Sequence, residues 1–214
     1  MSIAVKSPEK AFNECIKIAE SIENGVLKKT ALDFLQGKGF MATKIKGSDW
    51  QHHNYRGGLI VHTCNVTKLA IKIAEYYRDE EISMDLIKFG ALCHDAGKVF
   101  DYKKDDDFSM NQELSMNQEL LGHCYEGARY IENLLIANNL LCNKLTDEQI
   151  AQAVHCIGSH MTGWVGAISE QKMLEVFIIG KADNIDAEIS RTVVEDTKAW
   201  YKNASGHTYY KALF

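Results

Sequence analysis

Apolar residues recur at helical spacing along most of the chain, and the pattern predicts a succession of helices with no strand longer than a few residues. Ser7 followed by Pro8 has the form of a helix start, since proline's missing N–H is tolerated in the first turn. The pattern then predicts helices over 8–23 and 26–36, broken at Asn24-Gly25, and a glycine-bearing loop through Gly37, Gly39 and Gly47. From Leu59 to Tyr77 the residues Val66, Leu69, Ala70, Ile73 and Ala74 share one helical face, with His62 a turn ahead of Val66 on it. Ser83 reads as the N-cap of a helix through Leu86, Ile87, Ala91 and Leu92 that delivers His94 and Asp95 at its end. Periodicity resumes from about His123 through Ile131, Leu134 and Leu135. Thr146 and Gln149 form a capping-box signature for a helix carrying His155. A last long helix is expected from about Glu170 to beyond Trp200, with Asp183 and Asp186 in its middle. The fold class this gives is all-α, a helical bundle.

The segment 101–108, DYKKDDDF, reads as an exposed loop, and Ser-Met-Asn-Gln-Glu-Leu occurs twice, at 109–114 and 115–120. Two copies are too few for a solenoid, so a local duplication in a surface segment is the expectation. We divide the chain into an N-terminal helical segment (1–50) packed on a central domain (51–190) with a C-terminal helix extension (191–214), one structural domain in all.

Two hundred and fourteen residues, 46% hydrophobic and 25% charged, suffice for a real core. No apolar run is long enough to span a bilayer, and no secretory signal is evident at the N-terminus, so a cytoplasmic protein with no membrane partner is expected. The six cysteines lack a C-x-x-C pair and are expected as free thiols. Cys64, Cys93, Cys124 and Cys156 each neighbour a histidine, but neighbours on a helix diverge by about 100°, so these are expected as small core residues. A net charge of −5 argues against an extended basic surface that tracks nucleic acid.

An aspartate inside an apolar helix is costly unless paired or metal-bound. His62, His94, Asp95 and Asp183 bring two imidazoles and two carboxylates from three helices with apolar faces, a mixed N/O set suited to a hard or borderline divalent ion. Asp186, one turn beyond Asp183, is expected instead to cap a neighbouring helix or to pair with a lysine.

The segments HHNYRGGLIVHT, ALCHDAGKV, ELLGHCYEG, AVHCIGSH and KADNIDA resemble the HD superfamily of metal-dependent phosphohydrolases, and in particular the HD domain of YhaM-type 3'-5' exoribonucleases. The resemblance spans about residues 52–187. It implies an HD-domain helical bundle with His62, His94, Asp95 and Asp183 as metal ligands, and His123, His155 and His160 as holders of a second ion. Where such relatives carry Ser-His-His-Gly, this chain reads Ser159, His160, Met161, Thr162, one histidine fewer. Residues five apart on a helix point about 140° from each other, so His155 and His160 converge only if the helix ends between them, for which Gly158-Ser159 is the expected break.

So many imidazoles favour one or two ions of Mn, Fe, Co, Ni or Zn over Mg. The chemistry implied is hydrolysis of phosphoester bonds in nucleotides or short oligonucleotides, with Asp95 and Lys98 as the catalytic pair and Lys98 neutralising a phosphate oxygen. His52, His53, Tyr55 and Arg56, just before the first ligand helix, are the expected substrate-binding residues together with Lys98. The alternatives are a 3'-5' exoribonuclease-like nuclease, a cyclic nucleotide or dinucleotide phosphodiesterase, and a non-catalytic metal-stabilised regulatory module; a homo-oligomer is compatible with any of them. The Gly-Tyr-Pro signature of one cyclic-dinucleotide group is absent, because the single proline is Pro8.

Overall fold

The computed structural model describes residues 7–47, 52–100, 116–142, 144–161, 166–192, 200–202 and 208–210. The acidic loop and the first hexapeptide copy lie outside these residues. The fold is all-α, as the periodicity requires. Seven helices follow in order among the described residues: α1 (Pro8–Glu20), α2 (Gly25–Gln36), α3 (Gly58–Tyr76), α4 (Met84–Cys93), α5 (Met116–Cys142), α6 (Asp147–Gly158) and α7 (Leu174–Thr192). Short 3₁₀ helices, Lys38–Thr43 and Ala96–Phe100, follow α2 and α4, the first of them within the stretch expected as a glycine loop.

Side chains cap the starts of α1, α2, α4 and α6. The Ser7 hydroxyl accepts from the Lys10 N–H, Asn24 from the Val26 and Leu27 N–H groups, and Ser83 from the Leu86 N–H. Thr146 and Gln149 form both halves of the capping box, each such cap contributing about 1 kcal/mol. Asp85 on α4 accepts from the backbone N–H groups of Glu23 and Asn24, tying the α1–α2 turn to α4.

Two apolar clusters meet along α3 and α4. The N-terminal residues of α3 (Leu59, Ile60, Val61) join Ala11, Ile22, Leu35, Ile131 and Ile157 in one. Its later residues (Val66, Ala70, Ala74) join Ile87, Ala91, Val176 and Ile179 in the other. His62 lies on α3 at this junction, fully buried. A buried polar residue at such a place must find partners.

The expected helix through Trp200 is not what the chain forms. α7 ends at Thr192, and 200–202 pairs antiparallel with 208–210, Trp200 opposite Tyr210 and Lys202 opposite Thr208. The segments WYK and TYY are rich in aromatic residues, and Thr208 is β-branched. Local strand preference therefore prevails there over an extrapolated helical period.

The second 3₁₀ helix presses backbone to backbone on α5. A Cβ on Gly97 would collide with the His123 carbonyl, and one on Gly127 would stand 2.7 Å from the Gly97 nitrogen. Gly97→Ala is therefore expected to push α5 outward, to cost about 1–3 kcal/mol and to lower Tm by several degrees in thermal unfolding.

Candidate metal centre

His62 projects from α3, His94 and Asp95 stand at the end of α4, and Asp183 comes from α7. Helix packing brings the four together. His62 Nε2 lies 3.0 Å from Asp183 Oδ1, 3.4 Å from His94 Nε2 and 3.5 Å from Asp95 Oδ2, and His94 Nε2 lies 3.4 Å from Asp95 Oδ2. His62, His94 and Asp183 form a group able to hold a metal ion. Ligands of a first-row divalent ion at about 2.1 Å stand roughly 3.0–3.4 Å apart, so this spacing fits such an ion.

The outer ring nitrogens are already spent. His62 Nδ1 bonds Asp186 Oδ2 at 2.7 Å, and His94 Nδ1 donates to the Ala91 carbonyl at 2.8 Å. Each bond fixes a tautomer and aims the Nε2 lone pair inward, the support that ligating imidazoles ordinarily have. Asp186 also takes His53 Nε2 at 2.8 Å, and His53 Nδ1 meets the Tyr55 hydroxyl at 3.1 Å. The group His53, His62 and Asp186 is thus closed on itself by hydrogen bonds. Asp186 neither caps a helix nor pairs with a lysine here. It holds His62, and the signal for it was present in the sequence, a second carboxylate one turn from Asp183 on the same helix.

Asp95 turns its other oxygen to a second set. Oδ1 lies 3.5 Å from His123 Nε2 and 3.8 Å from His160 Nε2. α6 ends at Gly158, with Ser159 as its cap, so the expected break before His160 exists. His160 Nδ1 then donates to the Ile157 carbonyl at 2.7 Å. His155 does not join this set. Its Nε2 accepts the Lys172 N–H at 3.1 Å and its Nδ1 meets the Ser169 hydroxyl at 3.4 Å, because its place in the last turn of α6 faces the chain leading into α7.

Of the residues expected to meet substrate, Lys98 donates to Asp95 Oδ2 at 2.7 Å and to the Gly47 carbonyl at 3.3 Å, with only 19% of its side chain exposed. It is a charge partner of the centre and not a solvated loop lysine. His53 has φ 50°, a left-handed turn that non-glycine residues seldom adopt and that clusters at functional sites. The ring of the buried His52 packs 4.8 Å from that of His62, and neither His52 ring nitrogen has a hydrogen-bond partner among the described residues. Tyr55 and Arg56 are exposed.

The electrostatics suit ligand roles. Burial pushes His123 down to about 3, His160 to about 4 and His52 to about 2, so all three are neutral with lone pairs available. Burial also acts to lower His62, but hydrogen bonds to Asp183 and Asp186 outweigh it and raise His62 to about 9. Asp183 is held well below the usual carboxylate range, its burial outweighed by the bond to His62. Without an ion, then, a proton on His62 occupies the place of the cation. That charged form stabilises the fold fully below the ordinary imidazole value near 6.5, and the contribution is lost as pH rises through about 9. Metal must displace that proton. Affinity at this centre is expected to rise about tenfold per pH unit from near neutrality to about 9, with one proton released per ion, read by calorimetry in buffers of different ionisation heat.

The HD domain family matches residues 59–188, more than half of the chain, and the chain belongs to it. Over 106 residues it is 37% identical to the dihydroneopterin 2',3'-cyclic phosphate phosphodiesterase of Methanocaldococcus jannaschii, an alignment covering 43% of this chain and 42% of that protein. The match thus spans about two fifths of the curated relative's length. No solved structure matches. Among the described residues no helix is long and apolar enough to cross a membrane.

Proposed function

We propose that the chain is a metal-dependent phosphohydrolase cleaving phosphoester bonds of nucleotides, cyclic nucleotide-like diesters or short oligonucleotides. The observation that carries this is the convergence of His62, His94, Asp95 and Asp183 at 3.0–3.5 Å with the outer nitrogens of both imidazoles already hydrogen-bonded. Asp95, with one oxygen toward each set, is the residue that serves two ions. A bound divalent ion supplies an acidified water and a polarised phosphoryl oxygen. Mn, Fe, Co, Ni and Zn suit the imidazole-rich set better than Mg.

The chain's own residues do the rest. Lys98 holds positive charge beside Asp95 where a phosphate oxygen would arrive. His52, with its ring nitrogens unpaired beside His62, contacts substrate, and exposed Tyr55 and Arg56 extend that side. The relative from Methanocaldococcus jannaschii is a phosphodiesterase of dihydroneopterin 2',3'-cyclic phosphate, and the acidic net charge of this chain agrees with a small diester. The YhaM-type motif supports a second reading, a 3'-5' exoribonuclease acting on short RNA in the cytoplasm.

The test is hydrolysis by metal-analysed protein of 2',3'-cyclic and 3',5'-cyclic nucleotides, cyclic dinucleotides, nucleoside mono- and triphosphates and short RNA, with Mn, Fe, Co, Ni or Zn added. Chelator-sensitive turnover of a small diester is expected. Processive shortening of RNA with no small-diester turnover would favour the exonuclease, and inertness toward all of them with metal bound would favour a regulatory module.

A further inference from the structure

Gly122, at φ 74°, kinks α5, so His123 and Cys124 open its second helical piece. Consecutive helical residues diverge by about 100°, which is why Cys124 reads from sequence as core. Cys124 is fully buried, as that reading expects, and its sulfur stands beside a ring nitrogen. Cys124 Sγ lies 3.6 Å from His123 Nε2, and Cys124, His123 and His160 each bring one ligand atom to a group whose atoms lie within 4.8 Å of one another, able to hold a metal ion.

An independent observation points to a ligand at the same place. His160 is fully buried and its Nδ1–H is spent on the Ile157 carbonyl, so Nε2 carries a lone pair, and that atom has no hydrogen-bond partner among the described residues. It faces Asp95 Oδ1, another acceptor, at 3.8 Å. Two buried acceptors confronting each other call for a cation or a donor between them. His155, the residue expected to complete this set, is engaged with Lys172 and Ser169 instead.

We infer that Cys124, as a thiolate, is a protein ligand of the second divalent site together with His123, His160 and Asp95 Oδ1, so that this site selects a thiophilic borderline ion such as zinc, ferrous iron or cobalt over magnesium or manganese. The inference rests on the reading in which Asp95 is shared between two ions. The distances suit it. A nitrogen bound at about 2.0–2.1 Å and a sulfur at about 2.3 Å on a tetrahedral ion stand roughly 3.6 Å apart, which is the spacing of His123 Nε2 and Cys124 Sγ. Charge suits it too. Two neutral imidazoles and a shared carboxylate bring little anionic charge, and a thiolate adds one negative charge to balance the dication. On binding, the S–H bond breaks, the sulfur's electron pair goes to the metal and the proton leaves to solvent. Cys93 and Cys156, also beside motif histidines, are buried among apolar residues and belong to none of the three metal-capable groups found among the described residues.

Cobalt titration of the metal-free full chain tests this by absorbance. Two equivalents should bind, and with one of them a thiolate-to-cobalt charge-transfer band should grow in the near ultraviolet. Cys124→Ser should abolish the band and weaken that equivalent at least about tenfold, leaving the other equivalent unchanged; Cys124→Ala should do the same, and thermal unfolding of the metal-free variants checks their fold. Because the band is read first in the unsubstituted chain, its absence there overturns the inference whatever the variants do. Two cobalt ions without the band, or a band that survives in both variants, would overturn the cysteine ligand and leave the two-site reading intact. A single bound cobalt would overturn the two-site reading and the inference with it.

Discussion

Asp95→Ala is expected to lower phosphoester hydrolysis about a thousandfold or more, since the carboxylate faces both ligand sets and metal ions supply several kcal/mol of transition-state stabilisation. The same variant should lose metal, because Oδ2 lies within 3.5 Å of His62 and His94 and Oδ1 within 3.8 Å of His123 and His160. The fold should survive. Asp95 contributes charge more than packing, and the Lys98 ammonium that pairs with it at 2.7 Å is partly exposed and can swing toward solvent. Kinetics, metal content and far-ultraviolet circular dichroism on one preparation check all three expectations. Turnover like that of the parent chain would remove Asp95 from the centre.

Asp186→Asn is expected to weaken metal binding about 10–100-fold without unfolding the protein. Asp186 touches the centre only through His62 Nδ1, at 2.7 Å, and through His53. The asparagine keeps the shape but removes the charge that makes His62 a stronger base, so the pH at which metal displaces the His62 proton should move down together with the affinity. A purely packing role would alter stability and leave that pH profile in place. Competition against a chromogenic chelator at several pH values separates the two.

The candidate ligands on regular helices were legible in the sequence and the geometry between helices was not. His62 shares a face with Val66, and Asp183 with Val176 and Ile179, and those faces are buried, so a period of 3.6 residues suffices to point both inward. His94 and Asp95 follow from the end of α4 in the same way. Asp186 carried the same helical signal as Asp183, yet its partner is 124 residues away, and a sequence names the face without naming what packs on it. His155 shows the converse. The break after Gly158 was readable, but the rotation that turns His155 toward Lys172 is set by how α6 seats against α5 and α4. At the C-terminus local strand preference, not a continued helical period, decided the outcome.

Anomalous diffraction from crystals of the metal-loaded chain tests the central claim most directly. The account requires a peak bonded to His62 Nε2, His94 Nε2, Asp95 and Asp183, with His62 Nδ1 still on Asp186. A protein that binds its metal elsewhere, with His62 and His94 turned from the peak, would contradict it.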